Sequence, residues 1–158
     1  MSNLRLDNHP TLGDSRIRRK KVDGISDNSW PKFFPSDCPF CSAKPANCTV
    51  YRLVMTIPPT AADFQPWRSR NPGKTLPFGV TECQACGVSV YDDILDCQRI
   101  LRRVKGVPQL ISSGKIAPTE GMTLNTPSRH GKSHRTWWIP EGIDPSPIFF
   151  ISEGEISE

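Results

Sequence analysis

The chain has 158 residues, a mass of 17.7 kDa and a formal charge of +4, which is room for one small domain with appendages. Sixteen prolines exclude a helical bundle or a long coiled coil, because proline interrupts helices. No apolar run approaches the roughly 20 residues of a membrane-spanning helix, and no apolar segment follows the first Met, which predicts an intracellular protein, in the cytoplasm or inside a viral particle.

Residues 1–37 read as an extended basic arm carrying Arg18, Arg19, Lys20 and Lys21. Few large apolar residues occur there, so the arm has little to bury by itself. Trp30, Phe33 and Phe34 are the expected anchors where it meets a single domain spanning residues 38–152. Within that domain Asn47–Met55 alternates Tyr51, Leu53 and Met55 with Val50, Arg52 and Val54, the pattern of a strand that Pro58 and Pro59 end. A long loop is expected from Pro58 to Pro77, then two short strands flanking a cysteine turn between Phe78 and Val90. Residues 92–105 carry apolar side chains at Ile94, Cys97, Leu101 and Val104, which predicts the main helix. Asp92 is placed to cap it, basic residues crowd its end, and Gly106 and Pro108 stop it. A short helical turn near Gln109–Ser113 and a polar loop over residues 114–136 follow. Thr136–Ile139 and Ile148–Ile151 are expected to pair as a C-terminal hairpin, ahead of an acidic tail at 153–158.

Chemistry concentrates in Cys38-Pro39-Phe40-Cys41 and Cys83-Gln84-Ala85-Cys86-Gly87. A two-residue spacer lets both thiolates of a turn face one point, and two such turns can close a tetrahedral four-sulfur site around zinc. Gly87 suits the residue after such a knuckle, where glycine's conformational freedom is useful. The same cysteines are also compatible with a rubredoxin-like iron centre, disulfides or dithiol redox chemistry. Cys-Pro-Phe-Cys looks like a glutaredoxin active site, but Pro45 and Asn47 prevent the helix that would have to follow. Cys48 and Cys97 read as buried or half-buried small apolar residues.

Over residues 38–91 the two motifs resemble the zinc-ribbon and treble-clef-like groups of zinc proteins. That resemblance implies a small, loop-rich α+β fold with zinc-ribbon-like β-hairpins. It also implies one structural zinc on Cys38, Cys41, Cys83 and Cys86, without an activity. Ser42 departs from the glycine common after such a knuckle.

Charge is unevenly distributed. From Arg99 to Arg135 the only acidic residue is Glu120, whereas residues from Glu141 onward carry acids and no bases. Arg99, Arg102, Arg103, Lys105, Arg129, Lys132 and Arg135, with the arm cluster, are candidates for a phosphate backbone or an acidic partner. Trp137 and Trp138 could stack bases or form core. No nucleophile motif, zinc-protease motif or Gly-rich cofactor loop occurs, and Gly131-Lys132-Ser133 lacks the rest of a P-loop. The resulting expectation is a non-catalytic zinc-binding adaptor for nucleic acid or a nucleoprotein complex. Its alternative is a structural subunit that makes protein or self contacts through residues 1–37. A nuclease built on His130 and His134 is the third reading.

Overall fold

A computed structural model describes residues 29–103, 105 and 109–152. The basic arm cluster Arg18–Lys21, the helix end at Val104 and the acidic tail lie outside these residues.

The fold is a small α+β arrangement built on one antiparallel sheet of seven strands in the order β1-β5-β6-β3-β2-β4-β7. The strands are β1 (Lys44–Pro45), β2 (Cys48–Val54), β3 (Val88–Tyr91), β4 (Leu110–Ile116), β5 (Met122–Asn125), β6 (His134–Trp138) and β7 (Phe149–Ile151). Helical turns α1 (Trp67–Arg70) and α2 (Glu82–Ala85) precede β3, and α3 (Ile94–Arg103) follows it.

Alternation in β2 sends Val50 and Val54 to one face, where they pack with Phe64, Val88, Val90, Ile116, Trp137 and Phe149. Tyr51 and Leu53 point to the other face and meet Ile94, Cys97, Ile100 and Leu101 of α3. Met55 lies beyond the strand and is exposed. The helix therefore packs across β2, β3 and β4 on that face, as its apolar spacing requires. Its first turn is closed by Asp93, whose carboxylate accepts from Leu95 N at 2.9 Å. Asp92, the expected cap, instead pairs with Arg135 at 2.7 Å.

Four further expectations are corrected. In place of a helical turn at Gln109–Ser113, β4 starts at Leu110, and residues 114–136 supply the end of β4, all of β5 and the start of β6 in place of one loop. The serines hide β4: Ser112 is buried because its hydroxyl donates to Arg52 O at 2.9 Å, so a polar residue occupies a core position at little cost. The C-terminal hairpin does not form. β6 lies between β5 and β3, and β7 pairs with β4, because the proline-bearing turn after Ile139 carries the chain across to the far edge. Trp137 and Phe149 still meet, as rings stacked 5.8 Å apart in the core. The Pro58–Pro77 loop is interrupted by the turn Ala61–Phe64, which buries Phe64, and by α1.

β2 and β3 share one residue pair, Tyr51↔Tyr91. Beyond it the strands part, and the Arg52 side chain fills the gap by donating to Ser89 O and Asp63 O, each at 2.7 Å. The guanidinium replaces ladder bonds that two main chains would otherwise have made.

Candidate functional site

The cysteine motifs converge at one end of the sheet. Thr81 caps α2 by accepting from Gln84 N, and this single turn points Cys83 inward. Cys83 therefore lies in a helical turn followed by β3, in place of the expected turn between two strands. Cys38, Cys83 and Cys86 share a buried cluster with Trp30, Phe34 and Trp138, whose indole N–H donates to Cys83 O at 2.8 Å. Two of the three expected arm anchors, Trp30 and Phe34, are thus buried here, whereas Phe33 is half exposed and packs edge-on to Phe34. Cys38 and Cys83 form a disulfide between the motifs, with Cα atoms 5.3 Å apart. Cys86 is a free thiol pushed up to about 11 by burial and then by the charge of Glu82. Cys41 is free and exposed. Among the described residues no group of three or more His, Cys, Asp or Glu side chains is set to hold a metal ion. With Cys38 bonded to Cys83, two of the four thiolates a closed zinc site needs are engaged with each other.

Gly87 does not need the backbone freedom expected of it, since its φ is not positive. It is glycine because β6 passes so closely: an added Cβ would lie 2.3 Å from Thr136 Cγ2 and 3.3 Å from Trp137 O.

The basic residues separate into two groups. Arg99, Arg102 and Arg103 lie on α3, and Arg129 and Lys132 lie on the turn before β6. These two elements are joined by Asp96, which is buried and accepts from Ser133 N at 3.0 Å and Ser133 Oγ at 2.6 Å while pairing with Arg99 at 2.8 Å. The Ser133 hydroxyl, more than any other group, holds the Asp96 carboxyl below its ordinary range. Arg135 points the other way. It follows His134 on β6, so its side chain lies on the opposite sheet face, tied to Asp92. Lys105 is exposed just past the helix.

Trp137 and Trp138 are wholly buried. Removing an indole of this kind from the core would return about 200 Å² to water, roughly 5 kcal/mol, against 1–3 kcal/mol for stacking one base, by the usual order of magnitude. They are core, and base stacking is not their task.

Where β2 and β3 part, a cleft of about 390 Å³ opens between α1, α2, α3 and the turn before β6. Arg52, Arg70, His130 and His134 line it together with Trp67, Gln84, Ser89 and Tyr91; among the described residues no Asp or Glu lines it. Burial, and next the like charge of Arg70, push the Arg52 guanidinium down to about 10. Asp63 attracts it from nearby, but the Asp63 carboxylate is already occupied by Met55 N at 2.8 Å, Thr60 N at 2.9 Å and the Thr56 hydroxyl. Two guanidiniums thus face a concavity to which no described residue brings a carboxylate. A second cavity, of about 380 Å³, lies between Phe33, Phe64 and the 139–145 turn, and its charged lining is acidic, Glu141 and Asp144. Sequence reasoning singled out His130 and His134 but not Arg52, Arg70, Trp67 or Ser89, which come from separate elements and form no motif.

In comparisons with family models, curated proteins and solved structures, no match to this chain is found.

Proposed function

We propose that the protein binds single-stranded nucleic acid, with phosphate groups entering the cleft at Arg52 and Arg70. The observation that carries this reading is a concave site lined, among the described residues, by two arginines and two histidines without a carboxylate. An anion there would relieve the like-charge repulsion between Arg52 and Arg70, which Asp63 offsets only in part. Trp67, half-buried, offers an aromatic face in the same cleft, which suits an unpaired base better than a duplex. Arg129 and Lys132, on the turn that carries His130, extend the positive rim. Binding of a fluorescent single-stranded oligonucleotide, followed by anisotropy, tests this. Affinity is expected to fall steeply with salt, because cations that replace counterions make association salt-dependent. Arg70→Glu is expected to weaken binding at least about tenfold. Equal affinity of wild type and Arg70→Glu at all salt concentrations would refute the reading and favour an adaptor or assembly role through protein contacts.

A second reading concerns the reduced protein. Cys38, Cys83 and Cys86 already share one buried cluster, which supports a structural zinc once the disulfide is opened, with Cys41 turning inward as fourth ligand. Protein purified under reducing conditions is then expected to carry about one zinc per chain, a closed four-thiolate site. Zinc-free protein that is fully reduced and folded would refute it.

A further inference from the structure

The cleft holds a second chemical feature. Ser89 is exposed on β3, and its Oγ lies 2.9 Å from His134 Nε2 on the neighbouring strand. The other ring nitrogen, Nδ1, lies 2.8 Å from Thr126 O and 2.9 Å from Thr126 Oγ1, whose own proton can go to Thr136 Oγ1 at 2.8 Å. A carbonyl oxygen can only accept, so Nδ1 carries the proton and Nε2 presents its lone pair to Ser89. Ser89 therefore donates its hydroxyl proton to the imidazole. The ring is fixed in this orientation: Thr126 N in turn donates to His134 O at 3.0 Å, and the Tyr91 ring packs edge-on at 5.3 Å. Hydroxyl, base and base-orienting acceptor together form the arrangement that activates a serine nucleophile.

We propose that Ser89 is a nucleophile, with His134 as its general base, toward a phosphodiester held in the cleft. This rests on the anion-binding reading of the same cleft, since Arg52 and Arg70 are what would let a hydroxyl approach a charged phosphate. In the first step Ser89 Oγ bonds to phosphorus, the P–O bond to the leaving alcohol breaks, and the Oγ proton passes through His134 Nε2 to the departing oxygen. Water then attacks the phosphoserine ester, giving a proton to His134, and Oγ recovers that proton as the P–Oγ bond breaks. Burial keeps the imidazole below its ordinary value and hence neutral at pH 7, the state a base requires. Arg52 also donates to the main-chain oxygen of Ser89, fixing the strand that carries the nucleophile.

The test uses the full chain and diisopropyl fluorophosphate, whose phosphorus accepts Oγ with loss of fluoride. Mass spectrometry of the intact protein and its peptides is expected to place one adduct on Ser89. Ser89→Ala is expected to abolish it, and His134→Gln to slow it by about 100-fold, the lower range for loss of a general base. Excess oligonucleotide is expected to protect Ser89. No adduct on Ser89, or labelling at the same rate in His134→Gln, would overturn the nucleophile assignment. Oligonucleotide binding by the unmodified wild type separates the two failures: binding without labelling sinks the nucleophile alone, and loss of both sinks the cleft reading with it. Because Ser89 is exposed, Ser89→Ala has no packing to lose, so its result stands even if the His134 variant unfolds.

Discussion

Replacing Gly87 by Ala tests how the cysteine end is joined to the sheet. The new methyl would start 2.3 Å from Thr136 Cγ2, against ordinary contacts of about 3.5–4.0 Å. Thr136 is almost fully buried and its hydroxyl is bonded to Thr126 Oγ1 at 2.8 Å, so turning it away also breaks that bond. On the other side Trp137 O, at 3.3 Å, belongs to the ladder between β3 and β6 and cannot retreat alone. Overpacking of this kind costs about 1–3 kcal/mol, while the lost freedom of the unfolded chain returns about 0.4–1 kcal/mol. A net destabilisation of about 1–2 kcal/mol follows from those two terms. Urea unfolding reads it: with a slope of about 1.5 kcal/mol per molar, the midpoint falls by about 1 M. Thr136→Ser removes the methyl in conflict and keeps the hydroxyl. The double variant is therefore expected to lose less than the sum of the two single variants, a coupling that a mutant cycle measures directly. If Gly87→Ala unfolds at the wild-type midpoint, or its loss is unchanged in the Thr136→Ser background, the close-approach argument is wrong.

Asp96→Asn is expected to destabilise at pH 7 by about 2 kcal/mol, the scale of a charged hydrogen bond, because it weakens the bonds to Ser133 and the ion pair with Arg99. The folded-state carboxyl titrates below its unfolded value, so its contribution is complete above the unfolded pKa and disappears as pH falls through the folded one. Urea midpoints of variant and wild type should accordingly converge at acid pH; a constant gap would refute the charge argument. Among the free thiols, Cys41 should react first with iodoacetamide in the native protein, and Cys97 last. Burial pushes the Cys97 thiol up to about 12, and no part of it reaches solvent. Peptide mapping of a timed alkylation gives the order, and early labelling of Cys97 would contradict its place under α3.

Elements with a clean period were legible in the sequence. β2 follows its alternation almost to the residue, and α3 follows its three-and-four spacing, with Cys97 on the buried side as expected. β4 was not, because its serines and Gly114 look like loop chemistry. Only the three-dimensional setting shows Gly114 making room for the Phe149 ring, 2.9 Å from where a Cβ would stand. The cysteine motifs marked a constellation, yet spacing alone did not show that Cys38 bonds across to Cys83 rather than within its own motif. The cleft was legible only in part. His134 drew notice, but its partner Ser89 lies 45 positions away and the arginines lie on other elements. Side chains brought together by tertiary folding leave no local pattern to read.

The single residue pair between β2 and β3 suggests at first a sheet that could come apart into two pieces. Chain order rules that out. β1, β5, β6 and β3 lie on one side of that seam and β2, β4 and β7 on the other, and only the connection from β5 to β6 stays on its own side. Every other connection crosses, so the backbone stitches the halves together like a laced edge. Neither half is a contiguous stretch of sequence, and neither can be excised or swapped as one segment. Folding must close long-range contacts from the outset, which places this small protein among slow, all-or-none folders. The same lacing permits the opening at the seam that Arg52 fills, since separation of two strands there does not free either half.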